Sequence, residues 1–261
     1  MAFNREQESA RAQFDRQSRH YGKTHILADV SDVNRLLARC GLNPGGKALD
    51  VATGGGHAGL RLAELGWEVT CSDLSQQMLD RVKEVAESRK LSIQTRLYPA
   101  EDLQEPSQSM DLVVCRAAAH HFSHPEQFVN EVSRILKPGG VLLLVDGTVP
   151  DGEPEWEEWV HQVDQLRDPT HVRFLKPSSW KSLCDQAGLE LFYTEFFPLK
   201  QPDIEWYFET ASTPLENRKA VLQKVASASA HIRERMQIGN EAGRIVWSWT
   251  MIGLLARKPD R

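Results

Sequence analysis

Cysteine is scarce in this chain. The four that occur, Cys40, Cys71, Cys115 and Cys184, are scattered, with no Cys-x-x-Cys pair and no Cys/His ligand spacing. A zinc site and a disulfide framework are therefore not expected, and a reducing cytoplasm is the natural setting. No apolar run reaches the ~18 residues of a membrane span; "VLLLV" at 141–145 is far shorter. The first residues, "MAFNREQESARAQFDRQSRHYGK", carry no apolar run, so no signal peptide is expected. Basic surplus is absent too. The net charge is −5, which gives no electrostatic footprint for DNA or RNA and ranks nucleic acid low as a partner. There is no repeat of solenoid length and no low-complexity tract.

What remains is an ordinary globular composition, 41% hydrophobic and 26% charged over 261 residues, which suits a single domain with cap segments over 1–261. From Lys47 onward short apolar runs alternate with helical patterns. "KALDVA" (47–52), "WEVTCSD" (67–73), "SIQTRLY" (92–98), "MDLVVCRA" (110–117) and "GVLLLVD" (140–146) read as strands buried on both faces. Helices are predicted over His57–Leu65, Ser75–Arg89 and Pro125–Leu136, the last stopping at "KPGG". This alternation predicts a doubly wound α/β fold with a mostly parallel sheet. "LELFYTEFFPL" (189–199) and "GRIVWSWTMIGLLARK" (243–258) read as two further strands, an antiparallel pair at one end of a seven-stranded sheet. Residues 1–40, 148–176 and 201–240 have no place in the sheet and are expected to cap it, over a cofactor-binding core at 45–147. Ligands of open α/β sheets bind beyond the carboxyl ends of the strands, where such insertions gather.

The first strand runs into "GGGHAG" (54–59), which fits the spacing G-x-G-x-x-G, with Asp73 at the end of the second strand placed to hydrogen-bond a ribose diol. Glycines there let the backbone turn tightly and approach a ligand, whether that ligand is a dinucleotide or another nucleoside. Asp50 separates the two. A carboxylate immediately before the loop repels a pyrophosphate and offsets the attraction of the helix N-terminus for anions. S-adenosylmethionine (SAM) carries a sulfonium, an ammonium and a ribose without phosphate, and suits that charge. An NAD(P)-dependent oxidoreductase is the less favoured enzyme, since no Tyr-x-x-x-Lys hydride-transfer set occurs. A non-catalytic SAM-binding or regulatory protein stays open at this stage.

"LDVATGGGH", "VTCSDLSQQML", "YPAEDLQ", "MDLVVCRAAAHHFSHP" and "EVSRILKPGGVLLLVD" together resemble the class I SAM-dependent methyltransferases, most closely the subgroup similar to the ubiquinone/menaquinone C-methyltransferases. The resemblance covers about residues 45–147. It implies a methyltransferase that uses SAM and releases S-adenosylhomocysteine (SAH). Asp50, Gly54 and Gly56 would then line the loop beneath the methionine and ribose portions, with Ala52 in place of the first glycine of D-x-G-x-G-x-G. A methyl is tolerated there if φ is negative. The resemblance further implies that Asp73 holds the ribose hydroxyls, Leu74 packs on adenine, and Ala100 and Glu101 meet the adenine edge. Pro99 stands where many relatives have an aspartate for the adenine amino group. Arg116 falls near the methionyl portion, and Tyr21 would close over the cofactor.

The caps argue for a small, partly apolar acceptor held in a pocket. Methyl transfer is an in-line displacement on an activated carbon, so alignment and water exclusion can supply most of the catalysis. A base helps when the acceptor holds an acidic proton, and histidine titrates in the useful range. His120 and His121 follow the fourth strand, and His171 lies in "RDPTHVRF" between Arg167 and Arg173. These three are the candidate catalytic residues; His171 could instead anchor a lid through Asp168. Trp156, Trp159, Trp206, Tyr207 and Phe208 could line an acceptor pocket or simply pack helix on sheet. The acceptor, the atom methylated and the oligomeric state are not encoded in any motif.

Overall fold

A computed structural model of the chain describes residues 5–17 and 26–260. Seven strands form one sheet: β1 (Lys47–Val51), β2 (Glu68–Asp73), β3 (Ile93–Leu97), β4 (Met110–Arg116), β5 (Leu136–Gly147), β6 (Glu190–Lys200) and β9 (Ser248–Arg257). Their order is β3-β2-β1-β4-β5-β9-β6. The first five strands in that order run parallel, and β9 is antiparallel to both β5 and β6. Two short strands, β7 (Gly239–Glu241) and β8 (Arg244–Val246), form a separate hairpin. The fold is therefore the expected doubly wound one, with the antiparallel C-terminal strand inserted between β5 and β6.

Side chains alternate along the central strands between two apolar cores. Leu49, Val113, Cys115, Leu142 and Leu144 face one side, while Ala48, Leu112, Val114, Val141 and Leu143 face the other. Both faces are covered, which is why these strands read as unbroken apolar runs. Helices α3 (His57–Glu64) and α4 (Gln76–Ser88) cover one face, and α5 (Pro125–Ile135) and α7 (Pro177–Gln186) the other. Ser75 caps α4, its Oγ accepting from the Met78 amide at 3.1 Å, and Pro125 occupies the first turn of α5.

Among the described residues the N-terminal segment gives α1 (Arg5–Gln17) and α2 (Ser31–Leu37). Helix α2 packs on the sheet itself. Its Val33 and Leu36 are fully buried on the sheet face, and a Cβ at Gly253 of β9 would lie 3.1 Å from a Leu36 methyl. The remaining helices, α6 (Pro154–Arg167), α8 (Ile204–Thr210), α9 (Leu215–Ala226) and α10 (Ala230–Arg235), share a third core with Trp156, Tyr207, Phe208 and Trp247. Trp156, Tyr207 and Phe208 are thus packing residues of this third core. No helix among the described residues is long and apolar enough to cross a membrane.

Strand order reverses between β1 and β4, which opens a crevice at their carboxyl ends. Asp50, Ala52 and Arg116 are delivered there by the fold.

Candidate active site

A cavity of about 970 Å³ fills this crevice. Its floor is the loop after β1. Asp50 is buried at 2% exposure, and its Oδ2 accepts from Thr53 Oγ1 at 2.5 Å and from the Gly59 amide at 2.8 Å. The carboxylate therefore fastens the loop to the first turns of α3. Gly59 has no room for a side chain, since a Cβ would meet Cys71 Sγ at 2.5 Å and Asp50 Oδ2 at 2.9 Å. Gly56 caps α3 in the left-handed region at φ 77°, and a Cβ there would strike both Val82 methyls at 2.8 Å. Gly56 supports the loop from behind; Gly54 and Ala52 line the cavity. Ala52 has φ 51°, so the tolerance expected from a negative φ does not apply. The loop carries a left-handed alanine, at ~1–2 kcal/mol of backbone strain.

Asp73 closes β2 with both oxygens turned inward. Oδ2 accepts from the Gly54 amide and Oδ1 from the Ser75 amide, each at 2.9 Å. Burial raises the carboxyls of both Asp50 and Asp73 to about 6. Leu74, Ala100 and Glu101 line the same cavity, as does Tyr98, whose hydroxyl donates to Glu105 at 3.1 Å. Helix α1 supplies another wall through Glu6, Gln7, Ala10 and Phe14. Gln7 Nε2 donates to Glu101 Oε2 at 3.3 Å, Gln13 Nε2 to the Ala211 carbonyl at 2.8 Å, and Ser75 Oγ to Asp15. Arg116 borders the cavity with its donors turned to the N-terminal segment. Nε binds Asp32 Oδ2 at 2.8 Å, and Nη1 and Nη2 bind the Leu27 and Asp29 carbonyls at 2.7 and 2.6 Å. Tyr21 lies outside the described residues.

A second cavity, about 680 Å³, adjoins the first and shares Leu27, Ala117 and His121 with it. Ala117 sits at this junction with φ 52°, a strained conformation for a residue with a Cβ. His120, His121 and His171 all line the second cavity. Asp146, at the end of β5, grips His120 twice. Its Oδ1 accepts from the ring Nδ1 at 2.6 Å and its Oδ2 from the His120 amide at 2.7 Å. Burial opposes protonation of His120, but the Asp146 carboxylate outweighs it and raises the imidazole above its ordinary value. His121 Nδ1 meets the Thr170 carbonyl at 3.0 Å, and burial lowers this imidazole to about 4. His171 is 4% exposed with an unpartnered Nε2, and burial holds it far below the usual histidine range. Its expected anchoring pair with Asp168 does not form: Asp168 Oδ1 takes the Thr170 amide and hydroxyl at 2.9 and 2.6 Å.

The segment after α6 is fastened to His120 by backbone. The His120 carbonyl accepts from the Val172 and Arg173 amides at 2.8 and 3.2 Å. That docking lays Phe174 over the end of β5, where a Cβ on Gly147 would fall 2.3 Å from its ring. Phe174, Trp206 and Trp249 form apolar walls, while Asp164 and Arg167 add polar ones. Asp164 accepts from the Tyr207 hydroxyl at 2.8 Å. Of the aromatic candidates, only Trp206 reaches this cavity.

Sequence reasoning missed Asp146, Asp164, Thr53 and Tyr98. A signal for Asp146 did exist. The runs at 110–117 and 140–146 read as parallel strands, so the acid that ends the second emerges at the same sheet edge as the residues that follow Arg116, and the register of Arg116 with Val145 bears this out.

A family model of a methyltransferase domain matches residues 49–144. The chain is 27% identical over 223 residues to the uncharacterized methyltransferase YcgJ of Bacillus subtilis, covering 85% of this chain and 87% of that protein. It is 35% identical over 176 residues to the uncharacterized protein YafE of Escherichia coli, covering 66% and 83%. Among solved structures, a putative methyltransferase from Bacillus halodurans superposes with a TM-score of 0.82 at 30% identity, over 88% of this chain and 99% of that one.

Proposed function

Because the chain belongs to the class I SAM-dependent methyltransferases, we propose that it methylates a small, partly apolar molecule seated in the second cavity. The observation that carries this reading is the meeting of two cavities at Leu27, Ala117 and His121. One is suited to the cofactor and the other to an acceptor, with a shared wall where the two reacting groups would face each other.

The residues of the first cavity fit SAM. Glu6, Asp50, Asp73 and Glu101 give it four acids, against the single guanidinium of Arg116, whose donors are engaged elsewhere. Such a lining favours a cation and disfavours a pyrophosphate. Each Asp73 oxygen takes one backbone amide, which leaves lone pairs for two ribose hydroxyls. Asp50, Ala52 and Gly54 would lie under the methionine and ribose portions. Gly56 would hold that loop in place, Leu74 would pack on adenine, and Ala100 and Glu101 would meet its edge. Arg116 would act at the methionyl end by fixing the N-terminal segment, with Tyr21 nearby in sequence. When bound, SAM supplies a methyl group on a sulfonium, activated for in-line displacement.

The chain's own part is alignment and exclusion of water. Leu27, Ala117 and His121 set the path between the cavities, and the docked segment with Phe174 shields it. His120, His121 and His171 offer imidazoles to the acceptor's polar group. All four cysteines are free and buried, which fits a reducing cytoplasm. Isothermal titration should show binding of SAM and SAH with NAD(H) far weaker, and labelled SAM should pass its methyl to a small molecule of a bacterial metabolite extract. The opposite ranking of ligands, or tight SAM binding with no label transfer, would overturn the reading.

A further inference from the structure

Resting on that reading, we propose that Asp50 and Asp73 are a pair of buried carboxylates whose counter-ion is the sulfonium, so that the first cavity holds SAM more tightly than SAH. The two acids lie at the carboxyl ends of adjacent strands, β1 and β2, and are 2% and 6% exposed. A buried carboxylate ordinarily has a cation against it, because its desolvation is otherwise uncompensated. These two have none among the described residues. The donors on Asp50 are the Thr53 hydroxyl and the Gly59 amide, and those on Asp73 are the Gly54 and Ser75 amides, all neutral. The surrounding charges do not fill the gap. Arg116 at the end of β4 acts on Asp50, but its Nε is matched to Asp32 and its other donors to two carbonyls. Asp15 of α1 faces Asp73, and Glu101 lies on the same cavity wall; both add negative charge. The two imidazoles of the lining, His57 at the start of α3 and His121, are lowered to about 4 by burial, so they are neutral near pH ~7. The Cys71 and Cys115 thiols on β2 and β4 stay protonated, since burial raises both. The cavity floor is thus anionic with no cation of its own.

SAM and SAH differ at the sulfur alone. SAM carries a methyl group and a positive charge there, whereas SAH is a neutral thioether. Adenine, ribose, ammonium and carboxylate are common to both, so contacts to those parts cannot separate them. A cation within a few ångströms of a carboxylate favours its ionised form by ~10- to 1000-fold, and by linkage the ionised pair favours the cation to the same degree. When the methyl group passes to an acceptor, the C–S electrons stay on sulfur and the sulfur becomes neutral. The pair beneath SAH is then left without its counter-ion, and a proton from solvent is its remaining source of neutrality. Discharge of the spent cofactor and uptake of a proton are therefore served by the same two residues.

Calorimetric titration of the full chain tests this without turnover. Both carboxyls are raised by burial to about 6, so they are ionised at pH ~8 and half protonated near pH ~6. At the higher pH, SAM should bind at least ~10-fold more tightly than SAH. Sinefungin, which carries an ammonium where SAM carries its methylated sulfur, should bind like SAM. At the lower pH, titrations in two buffers of different ionisation enthalpy should show SAM releasing more protons than SAH, because the cation drives the pair further toward its ionised form. The affinity for SAM should accordingly fall as pH drops through ~6, and that for SAH should fall less. Asp50→Asn, which keeps the side-chain volume and an oxygen for Thr53 and Gly59, should weaken SAM and sinefungin by at least ~10-fold and SAH by less than ~3-fold. If that variant does not fold, the wild-type comparisons still decide. SAH bound as tightly as SAM, equal proton release by the two, or sinefungin binding like SAH would overturn the proposal. Failure of all three ligands to bind would instead sink the methyltransferase reading on which it rests.

Discussion

Replacing Gly56 with alanine imposes two separable costs at one position. The residue has φ 77°, and a Cβ there would lie 2.8 Å from both methyls of Val82, itself fully buried. The left-handed conformation costs a residue with a Cβ ~1–2 kcal/mol. Forcing a methyl into a filled core typically costs ~1–3 kcal/mol more. The lost freedom of the unfolded chain offsets ~0.4–1 kcal/mol. A net loss of about 2–4 kcal/mol follows, or a fall in Tm of roughly 5–15 °C for a chain of this size. Two other glycines divide the terms. Gly188→Ala, at φ 73° with nothing within 4 Å, carries the backbone cost alone. Gly59→Ala sits inside α3 and carries the steric cost, against Cys71 and Asp50. Thermal and urea unfolding of these variants, with Val82→Ala added to Gly56→Ala, measures the contact directly. The pair should show a favourable coupling of at least ~1 kcal/mol. Equal losses for Gly56→Ala and Gly188→Ala, or no coupling with Val82, would refute the steric argument.

Four further outcomes are expected. Asp73→Ala removes the acceptor of two backbone amides and should weaken SAH binding by about 10²-fold in a calorimetric titration, at ~1.5–3 kcal/mol per charged hydrogen bond; equal affinity would show the ribose is held elsewhere. Arg116→Ala strands Asp32, 6% exposed, and two carbonyls, so the fold should lose ~3–5 kcal/mol and residues 26–38 should become cleavable by limited proteolysis; wild-type resistance would count against it. Ala52→Gly relieves the left-handed φ of 51° and should raise stability by up to ~1 kcal/mol, so a lower Tm would contradict the strain. His121, depressed to about 4 when folded against 6.5 in the open chain, contributes stability that is complete above pH 6.5 and lost as pH falls toward 4. His121→Gln should therefore flatten part of the acid limb of the Tm–pH curve, and an unaltered limb would refute this contribution.

Local rules made most elements legible, and the failures occur where partners distant in sequence decide. Ser75 and Pro125 marked helix starts because capping is a property of adjacent residues. "KPGG" reads as a stop, yet β5 already begins at Leu136, because Met110 pairs with Leu136 before the register slips to Leu112 and Val141. Residues 243–258 read as one strand, but the ladder breaks at Trp247, which is buried in the third core while its carbonyl accepts from the Gln201 amide at 2.8 Å. In the site, the glycine loop and Asp73 were visible because their chemistry lies in one stretch of chain. The His120–Asp146 pair was not, since it joins the ends of two strands 26 residues apart. Nor could spacing reveal that Ala52 is left-handed, as φ is set by how the loop closes on Asp50.

Helix α1 walls the first cavity and is tied down through Gln7, Gln13 and Asp15 to Glu101, Ala211 and Ser75. A catalyst that consumes one cofactor per cycle must discharge the spent one before the next can enter. These ties join α1 to three separate parts of the molecule, so if the first cavity holds SAM as proposed, loosening the helix and exchanging the cofactor would be linked events. On the proposed reading, the tempo of repeated turnover would depend on how often a few polar contacts let go, and the Ala211 tie would couple it to the segment that follows α8.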